Sequence, residues 1–142
     1  MFENSYKICA SKDYGNLPTT YFCDLNIIYP LKRAVLNLIA DGECVIYAGS
    51  EKAQVQQDEA TGLITCDITN LVAESDFLYI SVKGTEKNWI VAQIDLEFAG
   101  GLKSSKVSDN SWKCKGLSID NDKMSAYQLW SECTDDVETV VG

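Results

Sequence analysis

Ile90-Val91-Ala92-Gln93-Ile94-Asp95-Leu96-Glu97-Phe98 decides the fold class. Ile90, Ala92, Ile94, Leu96 and Phe98 fall on one face of an extended chain, and Val91, Gln93, Asp95 and Glu97 fall on the other. Side chains alternate with period two along a strand, so this stretch predicts a half-buried β-strand of nine residues. The pattern repeats outward. Residues 77–83 place Leu78, Ile80 and Val82 against Phe77, Tyr79 and Ser81, a strand covered on both faces. Residues 34–40 turn Leu36 and Leu38 inward, and Asp41-Gly42 follows at once as a hairpin signal, with Cys44–Tyr47 as the expected return strand. Residues 21–28 and 63–67 read as two more strands.

Turn chemistry separates these runs: Gly15-Asn16-Leu17-Pro18, Tyr29-Pro30, Thr61-Gly62, Lys83-Gly84 and Gly100-Gly101. Helical turns are expected only around 69–73 and 124–127. At least seven strands with short connections, and no long amphipathic helix, predict an all-β antiparallel sandwich. The 142 residues are expected to form one domain over 1–142, with 1–15 and 134–142 as edge strands or loose termini. With 46% hydrophobic residues the core needs neither disulfide nor metal to hold it.

Composition narrows the chemistry. The net charge of −9 argues against nucleic acid and against anionic membranes, both of which are held by Lys and Arg. The chain has no histidine, which removes the usual general base and rules out Ser-His-Asp and Cys-His triads built within the chain. Six cysteines lie far apart with no CxxC, so zinc-ribbon and thioredoxin signatures are absent. Buried thiols, disulfides and a metal site are all compatible with that spacing, and strand placement favours buried thiols. The first residues show no signal-peptide pattern, and no apolar run is long enough to span a bilayer. A complete chain would therefore be cytoplasmic.

The order of features resembles a known family. Arg33 to Gly49 runs strand, acidic-Gly turn, strand and Tyr47-Ala48-Gly49. Then come Asp67-Ile68-Thr69-Asn70-Leu71, a strand into Asn88-Trp89, the long strand to Gly100-Gly101, and Asp109-Asn110-Ser111-Trp112-Lys113. Over about residues 20–115 this is similar to the jelly-roll, galactose-binding-like domain at the N-terminal side of bacterial α-L-rhamnosidases, glycoside hydrolase family 78. The resemblance implies a non-catalytic accessory module that binds glycan weakly or packs on a catalytic domain, since the family's acid and base lie in a helical barrel absent here. One departure is Ala48-Gly49 where the family carries Asn-Gly. The alternative from a different class is a protein–protein assembly module on the same scaffold, without glycan binding.

Sugar sites pair an aromatic platform with a few polar groups. The candidates are Trp89 with Asn88, Trp112 with Asp109 and Asn110, Trp130 with Tyr127, and Tyr47. Each indole has a second reading as a core side chain. Asp120, Asn121 and Asp122 form an oxygen-rich cluster, which makes Asp120 and Asp122 the candidate calcium ligands, although the spacing is not that of an EF-hand. Asp67 is expected to cap a short turn, and Asp109 with Ser111 to fix the turn that seats Trp112 on the core.

Overall fold

The computed structural model of the chain describes residues 2, 4–11, 17–48, 51–72, 76–116 and 131–140. In chain order the strands are β1 (Tyr6–Ala10), β2 (Thr19–Asp24), β3 (Leu31–Ala40), β4 (Glu43–Ala48), β5 (Glu51–Lys52), β6 (Gln56–Gln57), β7 (Ile64–Asp67), β8 (Phe77–Lys83), β9 (Ile90–Phe98), β10 (Lys103–Val107), β11 (Lys113–Gly116) and β12 (Ser131–Val140). One helical turn, α1 (Thr69–Val72), follows β7. Every strand pair is antiparallel.

Two sheets face each other. In the first, β9 pairs along its length with β3, which continues to β7 and β6. The other edge of β9 is shared by β1 at Ile90 and by β10 from Gln93 to Glu97. In the second, the order is β11, β2, β8, β4, β5. The inward residues of the first sheet, among them Ile8, Leu36, Leu38, Ile90 and Ile94, meet Tyr21, Ile46, Leu78, Ile80 and Val82 of the second, all of them fully or almost fully buried. Each such aliphatic side chain contributes roughly 1.5–3 kcal/mol by leaving water.

The strands at 77–83 and 90–98 lie where the alternation puts them. The Gly100-Gly101 reversal also stands: both glycines have φ 89°, a left-handed conformation open to residues without a Cβ, and β9 and β10 form a hairpin about them. The strand expected over 21–28 stops instead at Asp24, because the Asp24 carboxylate accepts the Asn26 N–H at 2.9 Å and Asn26 turns left-handed at φ 50°.

One expectation is corrected. Asp41-Gly42 does not close a hairpin. β3 belongs to the first sheet and β4 to the second, where β4 pairs with β8 and β5, so the turn carries the chain across the sandwich. The terminal strands pair with each other and touch both sheets. β12 pairs with β11 at Ser131 and Glu132, then with β1 from Cys133 onward, and β1 in turn meets β9. The two ends of the chain thus join the sheets along one side.

Candidate functional site

The site rests on two crossings between the sheets that clasp each other. The β3–β4 turn at Asp41-Gly42 runs one way, and the β8–β9 loop at 84–89 runs back. Asp41 binds the second loop three times: its N–H donates to the Trp89 carbonyl at 3.0 Å, and its Oδ2 accepts the N–H of Glu86 at 2.5 Å and of Asn88 at 3.0 Å. The chains lie so close that a Cβ on Gly42 would run into the Lys83 carbonyl, and one on Gly84 into the Asp41 carboxylate.

Asn88 bolts this clasp from within. It is 9% exposed and left-handed at φ 54°. Its Oδ1 accepts Gly84 N–H at 2.7 Å, and its Nδ2 donates to Thr19 Oγ1 at 3.1 Å and to the Leu17 carbonyl at 3.3 Å. Its own carbonyl accepts the Tyr21 hydroxyl at 2.6 Å. Burial pushes the pKa of that hydroxyl far above the ordinary tyrosine range, so it stays a donor. The amide proposed from sequence as a sugar ligand is therefore engaged on both its arms inside the protein.

The clasp delivers Trp89 to the outside of the first sheet. Ile8 faces Ile90, and both point inward. Continuing that register sets Cys9 across from Trp89 on the outer face, with Lys7 on the diagonal. Trp89 is half-buried there, in a groove of about 470 Å³ whose walls include Lys7, Cys9, Thr85, Glu86 and Lys87. The Lys7 ammonium lies 4.5 Å from the centre of the indole, a cation–π contact. Trp89 Nε1 is shielded from water and has no hydrogen-bond partner. A shielded donor without an acceptor is unusual, and among the described residues it is the one such side-chain atom.

The other sequence candidates are dispersed. Trp112 is 1% exposed and its Nε1 donates to the Val107 carbonyl at 3.0 Å, so its ring is core and offers no face to a sugar. The expected turn seats it: Asp109 Oδ1 accepts Ser111 N–H at 2.9 Å and the Ser111 hydroxyl at 2.5 Å. Tyr47 lies on the outer face of the second sheet, in register with Tyr79, which stacks on Phe22 at 5.3 Å; it does not line the Trp89 groove. Asp120, Asp122, Tyr127 and Trp130 lie outside the described residues, and among those described no group of three or more metal-ligating side chains comes together.

Asp67 caps as expected, accepting Thr69 N–H at 3.0 Å and the Thr69 hydroxyl at 2.5 Å, and these bonds hold its carboxyl below the usual aspartate range. None of the six cysteines forms a disulfide. Lys7 was not singled out in the sequence, because its place over Trp89 comes from a pairing of residues some eighty positions apart. Ser108 was likewise silent. It fills the gap where β1 and β10 meet on β9, donating to the Tyr6 carbonyl at 2.6 Å and accepting Ala92 N–H at 2.9 Å.

Fold and site together define an antiparallel β-sandwich with a tryptophan-walled groove on one face. Three solved structures share the fold. An α-L-rhamnosidase from Aspergillus terreus superposes with TM-score 0.74 at 12% identity, over 94% of this chain and 21% of that one. The α-L-rhamnosidase of Streptomyces avermitilis complexed with L-rhamnose gives 0.68 at 18%, over 94% and 14%. A lectin from Pleurotus ostreatus in complex with GalNAc gives 0.69 at 13%, over 95% and 42%. The chain thus spans less than half the length of each. The resemblance read from the sequence is met here as a likeness of fold. No protein-family model and no curated protein matches the chain.

Proposed function

We propose that the chain is a non-catalytic, carbohydrate-associated module that meets glycan at the Trp89 groove, folding as one domain over its length. The observation that carries the reading is the groove itself: an indole on the outer sheet face, beside hydrogen-bonding side chains, on a fold shared with two rhamnosidases and a lectin. Tyr47 stands on the other sheet and is at most a second, separate contact. The absence of histidine supports a role without catalysis. The test is a glycan array that includes rhamnosides, galactosides and N-acetylgalactosaminides, read with the parent and with Trp89→Ala. Binding that Trp89→Ala abolishes is the expected result. Silence on every glycan at millimolar protein overturns the reading.

A second reading has its own observation. Ile28, Tyr29 and Leu102 are 72%, 53% and 53% exposed and gather at one end of the sandwich, where the Ala99 N–H bonds the Pro30 carbonyl. An apolar patch of this kind suits packing against a protein or a neighbouring domain. Dye binding by the isolated chain, lost in the Ile28→Asp/Leu102→Asp double variant, would favour it; a dye signal that the double variant leaves unchanged would count against it.

A further inference from the structure

We infer that Cys114 and Cys133 are a disulfide pair, a staple that closes when the chain meets an oxidant of the small-molecule disulfide class. The register brings the two together. Cys114 on β11 pairs with Ser131 on β12, and Cys133 stands two residues further along β12, on the same face of the ladder. That face is the interior: Cys114 is 0% and Cys133 6% exposed. Their side chains already meet in a hydrogen bond, thiol to thiol. Closing that contact to an S–S bond of about 2 Å asks for a change of side-chain torsion and a small approach of two strands already paired.

The other cysteines are less well placed. Cys9 lies across from Thr134, and alternation turns it to the opposite face from Cys133, which lies across from Ala10. Cys23 takes the diagonal of Cys114 on the β2 side, since Cys114 pairs with Tyr21, but the thiol that hydrogen-bonds Cys114 is that of Cys133. Cys44 and Cys66 donate to the carbonyls of Gly42 and Gln54.

Oxidation runs as two exchanges. The Cys133 sulfur, the more exposed of the two, gives up its proton and attacks the small disulfide, and one small thiol leaves. Cys114, deprotonated in turn, attacks the Cys133 sulfur of the mixed disulfide, and a second small thiol leaves. The protein loses two hydrogens with their electrons, and the small disulfide gains them. The contact with Cys114 and burial both push the Cys133 pKa far above the ordinary thiol range, so thiolate is scarce and exchange in the folded chain is slow. The pair is therefore a structural staple and not a rapid sensor. In the β11–β12 ladder the register pairs are Lys113 with Glu132 and Cys114 with Ser131, and from Cys133 onward β12 pairs with β1. A bond at Cys133 fixes β12 where it passes from one sheet to the other. It thereby secures β1, whose Lys7 and Cys9 wall the Trp89 groove.

The test unfolds the full chain in urea and refolds it in a glutathione redox buffer at mildly alkaline pH, so that burial does not limit access. Remaining thiols are blocked, and intact mass, linked peptides and melting temperature are read. The expected result is the loss of two hydrogens and one linked peptide pair holding Cys114 and Cys133. The melting temperature should rise by roughly 10 °C, for a loop running from Cys114 to Cys133, and dithiothreitol should reverse the rise. The parent alone gives this result, so no variant's folding enters it. Cys114→Ala and Cys133→Ala should each remove the link and the shift, and Cys9→Ser and Cys23→Ser should keep both. Both thiols recovered unlinked after refolding overturn the inference, as does a link between any other pair. A Cys114–Cys133 link that leaves the melting temperature unchanged, or lowers it, overturns the staple.

Discussion

Replacing Asn88 tests whether its amide is a structural bolt or a ligand. In Asn88→Ala the Gly84 N–H, paired at 2.7 Å, loses its acceptor in a partly buried site. An orphaned buried donor costs about 1–3 kcal/mol. Leu17 is half-exposed, so its carbonyl can turn to water and adds little, while the buried Thr19 Oγ1 loses a donor, a loss that falls within the same range. Alanine must also take φ 54°, which costs a residue with a Cβ about 1 kcal/mol or more. The sum is about 3 kcal/mol, on the order of a hundredfold in the folding equilibrium. Asn88→Gly keeps the hydrogen-bond loss and relieves the backbone, so it should cost about 2 kcal/mol, with glycine's greater freedom in the unfolded chain included. Urea titrations followed by tryptophan fluorescence measure both, and the slope with denaturant should be unchanged. A glycine variant as stable as the parent would refute the bolt. So would an alanine variant that keeps its stability and loses glycan binding.

Gly42→Ala should destabilise by about 2–3 kcal/mol, at the upper end for overpacking, because the obstacle is the Lys83 backbone and not a side chain that can turn away; thermal melts report it. Trp112→Phe leaves a space in the core and strands the Val107 carbonyl, and should lower stability by about 2–3 kcal/mol while glycan binding persists in the folded fraction. Burial pushes the thiols of Cys23 and Cys44 up to about 12, above the ordinary 9. The folded chain therefore holds these protons while the unfolded chain releases them. Stability should be intact below pH 9 and fall between pH 9 and 12 by at most about 1.4 kcal/mol per pH unit per thiol, and less in Cys23→Ser or Cys44→Ser. Asp67 runs the other way. Its lowered carboxyl stabilises the fold above the ordinary aspartate pKa, and that contribution fades on acidification, so the stability difference between parent and Asp67→Asn should shrink in acid titrations.

The elements whose signals are local are legible in the residues alone. Period-two alternation along 77–83 and 90–98 marked strands because one face of a strand must be apolar to reach the core. Gly100-Gly101, Asp67 and Asp109 declared their turns because a left-handed backbone or a side-chain acceptor acts within a few residues. Which sheet each strand joins is set by pairings between distant segments. Asp41-Gly42 has the chemistry of a hairpin turn, and only the pairing of β4 with β8 makes it a crossing. The same holds for the site. Tryptophan can be core or platform on equal chemistry, and what separates Trp112 from Trp89 is the face of the sandwich, core or outer, to which the preceding turn or loop carries each ring. For Trp89 that face is fixed by Asp41 and Asn88 behind the loop and by Lys7 across the sheet, contacts between residues distant in sequence. Local physics writes strands and turns into the sequence, but a groove is made by the register of distant segments.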